Sequence, residues 1–176
     1  MLRRVFILSC LLTLVAGNFY TFSARDIDGE TKHLADYAGK VSLVVNVASE
    51  CGYTESNYRD LVALQKQYKS FGFNVLAFPC NQFGEQEPET EANIKSLLKR
   101  SYHVNFPLFS KIDVMGPDAH PVYEYLYEET GKRPTWNFAK YLINRSGKVV
   151  QFFDTKIQTI DIRQQIERLM KYKDEF

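Results

Sequence analysis

The stretch from Val41 to Ala48 reads V-S-L-V-V-N-V-A, a nearly continuous apolar run rich in β-branched residues. It does not alternate between apolar and polar positions. It therefore fits a strand covered on both faces of a sheet. A second run of this kind spans Phe73 to Phe78 and ends at Pro79. Between the two, Tyr58, Leu61, Leu64 and Tyr68 recur at helical spacing and share one face. Strand, helix, strand in that order predicts a βαβ unit with parallel pairing and a right-handed crossover.

The rest of the chain dresses this unit. Asp26-Ile27-Asp28-Gly29 is a turn signal between short extended segments, which predicts a small N-terminal hairpin. After a loop over 80–89, Thr90 is placed to cap a helix with Ile94, Leu97 and Leu98 on its apolar face. Phe106 to Ile112 reads ambiguously. Pro121 opens a further helix, with Tyr123, Leu126 and Tyr127 expected to pack inward. Phe138–Ile143 and Lys148–Phe153 flank the turn at 144–147 and predict an antiparallel hairpin. A last helix sets Ile162, Ile166, Leu169 and Met170 on one side. A βαβ unit followed by a ββα unit is the thioredoxin arrangement. The expected fold class is therefore α/β, a thioredoxin fold with an N-terminal β-hairpin and an inserted helix.

Composition supports one packed domain. The chain has 176 residues, 45% of them hydrophobic and 24% charged, which excludes a disordered protein. A net charge of +1 gives no electrostatic reason to propose nucleic acid as a partner. The first residues are read separately. Arg3 and Arg4 precede an apolar run from Val5 to Val15, and Ala16 and Gly17 follow. This is the pattern of a secretory signal peptide over 1–17, leaving a domain over 18–176. The run is shorter than the ~20 residues of a comfortable transmembrane span. Lys173-Asp174-Glu175-Phe176 spells K-D-E-F, one residue from the K-D-E-L retention signal of the endoplasmic reticulum. The expected location is the lumen of that compartment, or the exterior if the tail is not retained. Asn144-Arg145-Ser146 is a glycosylation sequon in a turn, which makes Asn144 a candidate for modification.

With Cys10 inside the signal, Cys51 and Cys80 are the remaining cysteines. Cys51 directly follows a buried strand and precedes a helix. That puts it at the carboxyl end of a sheet strand, where open α/β folds place ligands. A helix N-terminus there favours thiolate, the nucleophilic form. Thr54 stands where a C-x-x-C pair would have its second sulfur, so the chemistry must begin with one cysteine. Cys80 ends the neighbouring strand, so it can lie in the same crevice region. Position alone leaves it either a packing residue or a resolving thiol. Gln82 and Gln86 in the following loop, and Trp136 and Asn137 before the hairpin, supply hydrogen-bond donors without charge.

V-N-V-A-S-E-C-G at 45–52, F-P-C-N-Q-F-G-E-Q-E-P at 78–88 and P-T-W-N-F-A-K-Y-L at 134–142 together resemble the glutathione peroxidase family. With the secretory signal, the tail and Cys80, the chain is most similar to the family's cysteine-containing endoplasmic-reticulum type. The resemblance implies a peroxidase that reduces hydrogen peroxide or organic hydroperoxides through a sulfenic acid at Cys51. It implies a catalytic tetrad of Cys51, Gln86, Trp136 and Asn137. No cofactor or metal is implied; a thiol, glutathione or a protein dithiol, serves as co-substrate. Protein disulfide isomerase is the dithiol that the resemblance suggests, acting through a Cys51–Cys80 disulfide. A glutathione-dependent phospholipid hydroperoxidase and a peroxide sensor with little turnover are the alternatives. Two departures from the family pattern matter. The segment S-Y-H-V-N-F at 101–106 lacks the resolving cysteine of common thiol members, and the short chain before Trp136 resembles members that are monomers.

Overall fold

The structure, a computed structural model, describes residues 17–171. The signal expected at 1–17 and the K-D-E-F tail lie outside the described residues, apart from Gly17. A small antiparallel hairpin comes first, with β1 (Ser23–Arg25) paired to β2 (Thr31–His33) across the predicted turn. The main sheet has β3 (Val41–Val47), β4 (Phe73–Pro79), β5 (Lys140–Ile143) and β6 (Val149–Phe153) in the order β4-β3-β5-β6. β3 and β4 run parallel, joined by helix α1 (Thr54–Tyr68), while β5 is antiparallel to both β3 and β6. The βαβ and hairpin predictions hold. α2 (Glu91–Tyr102) is the inserted helix, and the Thr90 side chain accepts from Asn93 N as its cap. α3 (Pro121–Thr130) starts with proline in the first turn, and α4 (Arg163–Lys171) closes the described chain.

All seven residues of both β3 and β4 are buried, as their continuous apolar runs require. Alternate side chains serve two separate cores. On one face Val41, Leu43, Val45 and Val47 meet Tyr58, Leu61 and Leu64 of α1, Ile94 and Leu98 of α2 and Ile166 of α4. On the other, Val44, Leu76, Phe78 and Tyr141 meet Val122, Tyr123 and Leu126 of α3 and Phe19 near the N-terminus. Each buried Leu there contributes about 1.5–3 kcal/mol.

Two expectations change, and one open segment is placed. Tyr127 does not pack inward: it is 37% exposed, and the Arg133 guanidinium stacks 3.8 Å from its ring centroid. Tyr125 takes the buried place instead. The strand expected from Phe138 begins at Lys140, because Phe138 is left-handed at φ 66° and cannot join a ladder. The ambiguous segment at 106–112 runs beside β4, with Leu108 bridged to Ala77 and Phe109 to Asp26.

Candidate active site

Cys51 sits in the short loop between β3 and α1, almost fully buried. The loop is stapled by one hydroxyl. Thr54 Oγ1 donates to Ala48 O at 2.8 Å and accepts from Cys51 N at 3.0 Å, so the strand end and the cysteine backbone share a clasp. The Tyr53 amide points at Cys51 Sγ from 3.5 Å, at the first turn of α1. A hydrogen bond from Glu50 N to Gln86 O, 3.0 Å, fastens this loop to the one that follows β4.

That second loop turns back sharply. Gly84 and Glu85 are both left-handed, at φ 68° and 53°. A Cβ on Gly84 would stand 3.2 Å from Trp136 Cη2 and 3.6 Å from Gln86 Cδ, so glycine is needed both for the turn and for the close approach of indole and amide. Asn137 is fully buried beneath them. Its Nδ2 donates to Phe83 O at 3.3 Å and to Gln86 Oε1 at 3.0 Å. This settles which way both amides face. The Phe83 carbonyl can only accept, so Asn137 must present nitrogen; Gln86 must then present oxygen to Asn137. The Gln86 Nε2 group is left without a partner among the described residues, as is the Trp136 indole N–H. Trp136 is 37% exposed, so its ring is not a core residue. Gln86, Trp136 and Asn137 are thus brought together, and the Glu50–Gln86 bond sets the Cys51 loop against them.

Cys80 goes elsewhere. It continues the alternation of Phe78 and is fully buried in the α3-side core, whereas Cys51 belongs to the core on the α1 side. The two cysteines pack into cores on opposite faces of the sheet, and both are free. Burial pushes the Cys80 thiol up to about 11. Its loop is held by Gln82, whose Oε1 accepts from Val114 N and Met115 N at 2.8 and 3.1 Å and whose Nε2 donates to Met115 O at 2.8 Å. Asn144 is also buried, at 5% exposure. Its Oδ1 accepts from Ser146 N, Ser146 Oγ and Lys148 N, so the candidate glycan position is a closed turn.

Several residues of the site had no role assigned to them from the sequence, Thr54 being read there only as the absence of a second cysteine. Thr54, Asn46, Lys140 and Thr155 clasp its backbone, and Glu87 lies next to Gln86 with no exposed surface. Neither carboxylate oxygen of Glu87 has a hydrogen-bond partner. Burial raises this carboxyl to about 7; the Ser49 hydroxyl and amide and the Lys111 ammonium lower it in part without closing a side-chain bond. A polar residue inside an apolar run, as with Asn46 and Lys140, was the available signal.

Fold and site together define a thioredoxin-fold protein that presents one sulfur, not a dithiol, beside uncharged amide and indole donors. The family model for glutathione peroxidase matches residues 19–127. Glutathione peroxidase 7 of Mus musculus is 52% identical over 155 residues, which cover 88% of this chain and 83% of that one. Probable glutathione peroxidase 8 of Homo sapiens is 44% identical over 155 residues, 88% and 74% of the two chains. The crystal structure of Trgpx in apo form superposes with a TM-score of 0.73 at 37% identity, over 89% of this chain and 97% of that one. A thioredoxin-family thiol:disulfide interchange protein from Chlorobium tepidum TLS, at 21% identity and a TM-score of 0.66 over 85% and 92% of the chains, shares the fold. The chain belongs to the glutathione peroxidase family. It is a thiol peroxidase, an oxidoreductase of the class that takes a thiol such as glutathione as co-substrate.

Proposed function

We propose that Cys51 is the peroxidatic residue and that Gln86, Trp136 and Asn137 complete its site. The Cys51 thiolate attacks the distal oxygen of a hydroperoxide, and the O–O bond breaks. Sulfur loses two electrons and becomes a sulfenic acid; the alkoxide or hydroxide that leaves takes up a proton. The observation that carries this reading is the chain of hydrogen bonds from Phe83 O through Asn137 to Gln86. It leaves Gln86 Nε2 and the indole N–H as fixed donors for the charge that develops on oxygen. Neither donor brings a charge of its own.

A thiol then attacks the sulfenic sulfur, releasing water and forming a mixed disulfide; a second thiol releases Cys51. In the resting fold an external thiol can meet this need directly, because Cys80 is protonated and faces the other core. The route through a Cys51–Cys80 disulfide requires the loop at 80–88 to leave its place first. We assign residues 1–17 to a secretory signal and 18–176 to the enzyme, a monomer retained in the endoplasmic reticulum by its K-D-E-F tail. Protein disulfide isomerase is the dithiol suited to that compartment. Among the described residues, no helix is long and apolar enough to cross a membrane.

The test is peroxide turnover with reduced protein disulfide isomerase and with glutathione, in wild type, Cys51→Ser and Gln86→Ala. Removing one such donor lowers the rate by about 10²–10³. Cys51→Ser abolishes it. An undiminished rate in Gln86→Ala contradicts the assigned role.

A further inference from the structure

Three consecutive carbonyls, those of Trp136, Asn137 and Phe138, each accept a hydrogen bond from a different side chain. Asn46 Nδ2 of β3 donates to Trp136 O at 3.0 Å. Thr155 Oγ1, from the loop after β6, donates to Asn137 O at 2.9 Å. Lys140 Nζ, at the start of β5, donates to Phe138 O at 2.6 Å. The Phe138 amide returns to Asn46 O at 2.7 Å. This segment precedes the ladder of β5 and meets the sheet backbone only through the Phe138 amide, so side chains from three elements hold its carbonyls.

Lys140 is the member that packing does not explain. It has no exposed surface, and among the described residues it makes no ion pair with a carboxylate. Its other hydrogen bond goes to Ile157 O at 3.0 Å, in the same loop as Thr155. Burying an ammonium is costly unless its bonds are needed. A methionine stem would fill the same space without that cost. Burial lowers the ammonium to about 8, and Asp60 of α1 and Asp154 after β6, the charged groups that act on it, favour its charged form.

We propose that Lys140 is a positioning residue for the peroxide step: bridging Phe138 O and Ile157 O, its ammonium holds the left-handed turn at Phe138 and so aims Trp136 and Asn137. The proposal rests on the role given above to those two residues. Without the bridge Phe138 O loses its partner, and only the Asn46 and Thr155 bonds and the Phe138 amide oppose relaxation to extended backbone and a longer β5. Rotating the chain there turns Asn137 away from Phe83 O and Gln86, which undoes the orientation of both amides. Lys140 hydrogen-bonds neither Cys51 nor Gln86, so it acts through the backbone alone.

The test uses the wild-type protein, Lys140→Met and Thr155→Val, with three readouts. These are the second-order constant for oxidation of Cys51 by hydrogen peroxide, the rate at which dithiothreitol re-reduces the oxidised protein, and the Trp136 emission maximum. Lys140→Met lowers the peroxide constant about tenfold or more, since small misplacements of reacting groups are costly. It shifts the emission to the red and leaves re-reduction within about twofold, because that step does not need the two donors aimed. Thr155→Val moves the same readouts less. A folded Lys140→Met with the wild-type peroxide constant overturns the proposal. So does an equal fall in both half-reactions, which marks a merely structural role. If Lys140→Met does not fold, an unchanged peroxide constant in Thr155→Val overturns it. A wild-type protein without Cys51-dependent oxidation instead refutes the reading of the site itself, and the proposal falls with it.

Discussion

Glu87→Gln separates the stability cost of the site from its chemistry. In the wild type the Glu87 carboxyl is fully buried, its oxygens lack partners, and burial raises it to about 7 from an ordinary value of 4.5. The folded protein therefore holds a proton that the unfolded chain releases between those two values. The contribution of Glu87 is fully present below pH 4.5 and is lost as pH rises through 7. The gap corresponds to about 3 kcal/mol. Glutamine has nearly the same shape and no charge to desolvate, and its own unpaired amide costs about as much as the neutral acid. Urea unfolding at pH 5 and pH 8 measures the difference. The two proteins should be close at pH 5, with Glu87→Gln more stable by about 2–3 kcal/mol at pH 8. Because Gln86 and its bond to Asn137 are untouched, peroxide reduction should persist. Parallel pH dependence in the two proteins would refute the reasoning, since Glu87 would then be ionised in the fold at no cost.

Gly84→Ala forces a side chain into a left-handed position and sets its Cβ 3.2 Å from the indole; it should cost about 1 kcal/mol of stability in thermal unfolding and slow Cys51 oxidation in the same protein. Gln82→Ala removes three hydrogen bonds to the backbone at 114–115 and a longer one from Cys80 Sγ at 3.8 Å; the three backbone bonds alone, at about 1 kcal/mol each, make opening on the order of 100-fold more frequent. Loss of both free thiols after one equivalent of peroxide should accelerate accordingly, and an unchanged rate would argue that Cys80 never reaches Cys51. Asn144 should carry no glycan, because its side chain closes a buried turn; an intact mass matching the unmodified chain after secretory expression checks this.

The strands were legible because their residues leave no choice of face: V-S-L-V-V-N-V-A cannot present a wet side. The face of α1 was legible because Tyr58, Leu61 and Leu64 repeat at 3.6-residue spacing, and all three are fully buried. The partnership of Gln86, Trp136 and Asn137 was legible only through the family resemblance. Separate loops bring them together, and no local pattern records that meeting. Cys80 shows where local reasoning ran short. Alternation places it with Phe78, away from Val47 and Ala77, but the strands do not tell to which face the Cys51 loop turns. Phe138 looked like a strand residue by type; its left-handed backbone depends on Lys140, Thr155 and Asn46, three bonds that close only in the folded chain. Tyr127 matched the apolar pattern of α3 yet stacks on Arg133 at the surface, a cation–π contact that helical spacing does not encode.

The most direct test of the account is the fluorescence of the sole tryptophan, Trp136, followed by stopped flow after hydrogen peroxide is added to the reduced protein. The account predicts a fast change whose rate rises linearly with peroxide and which is absent in Cys51→Ser. A change of equal rate in Cys51→Ser, or none in the wild type while peroxide is consumed, would contradict it.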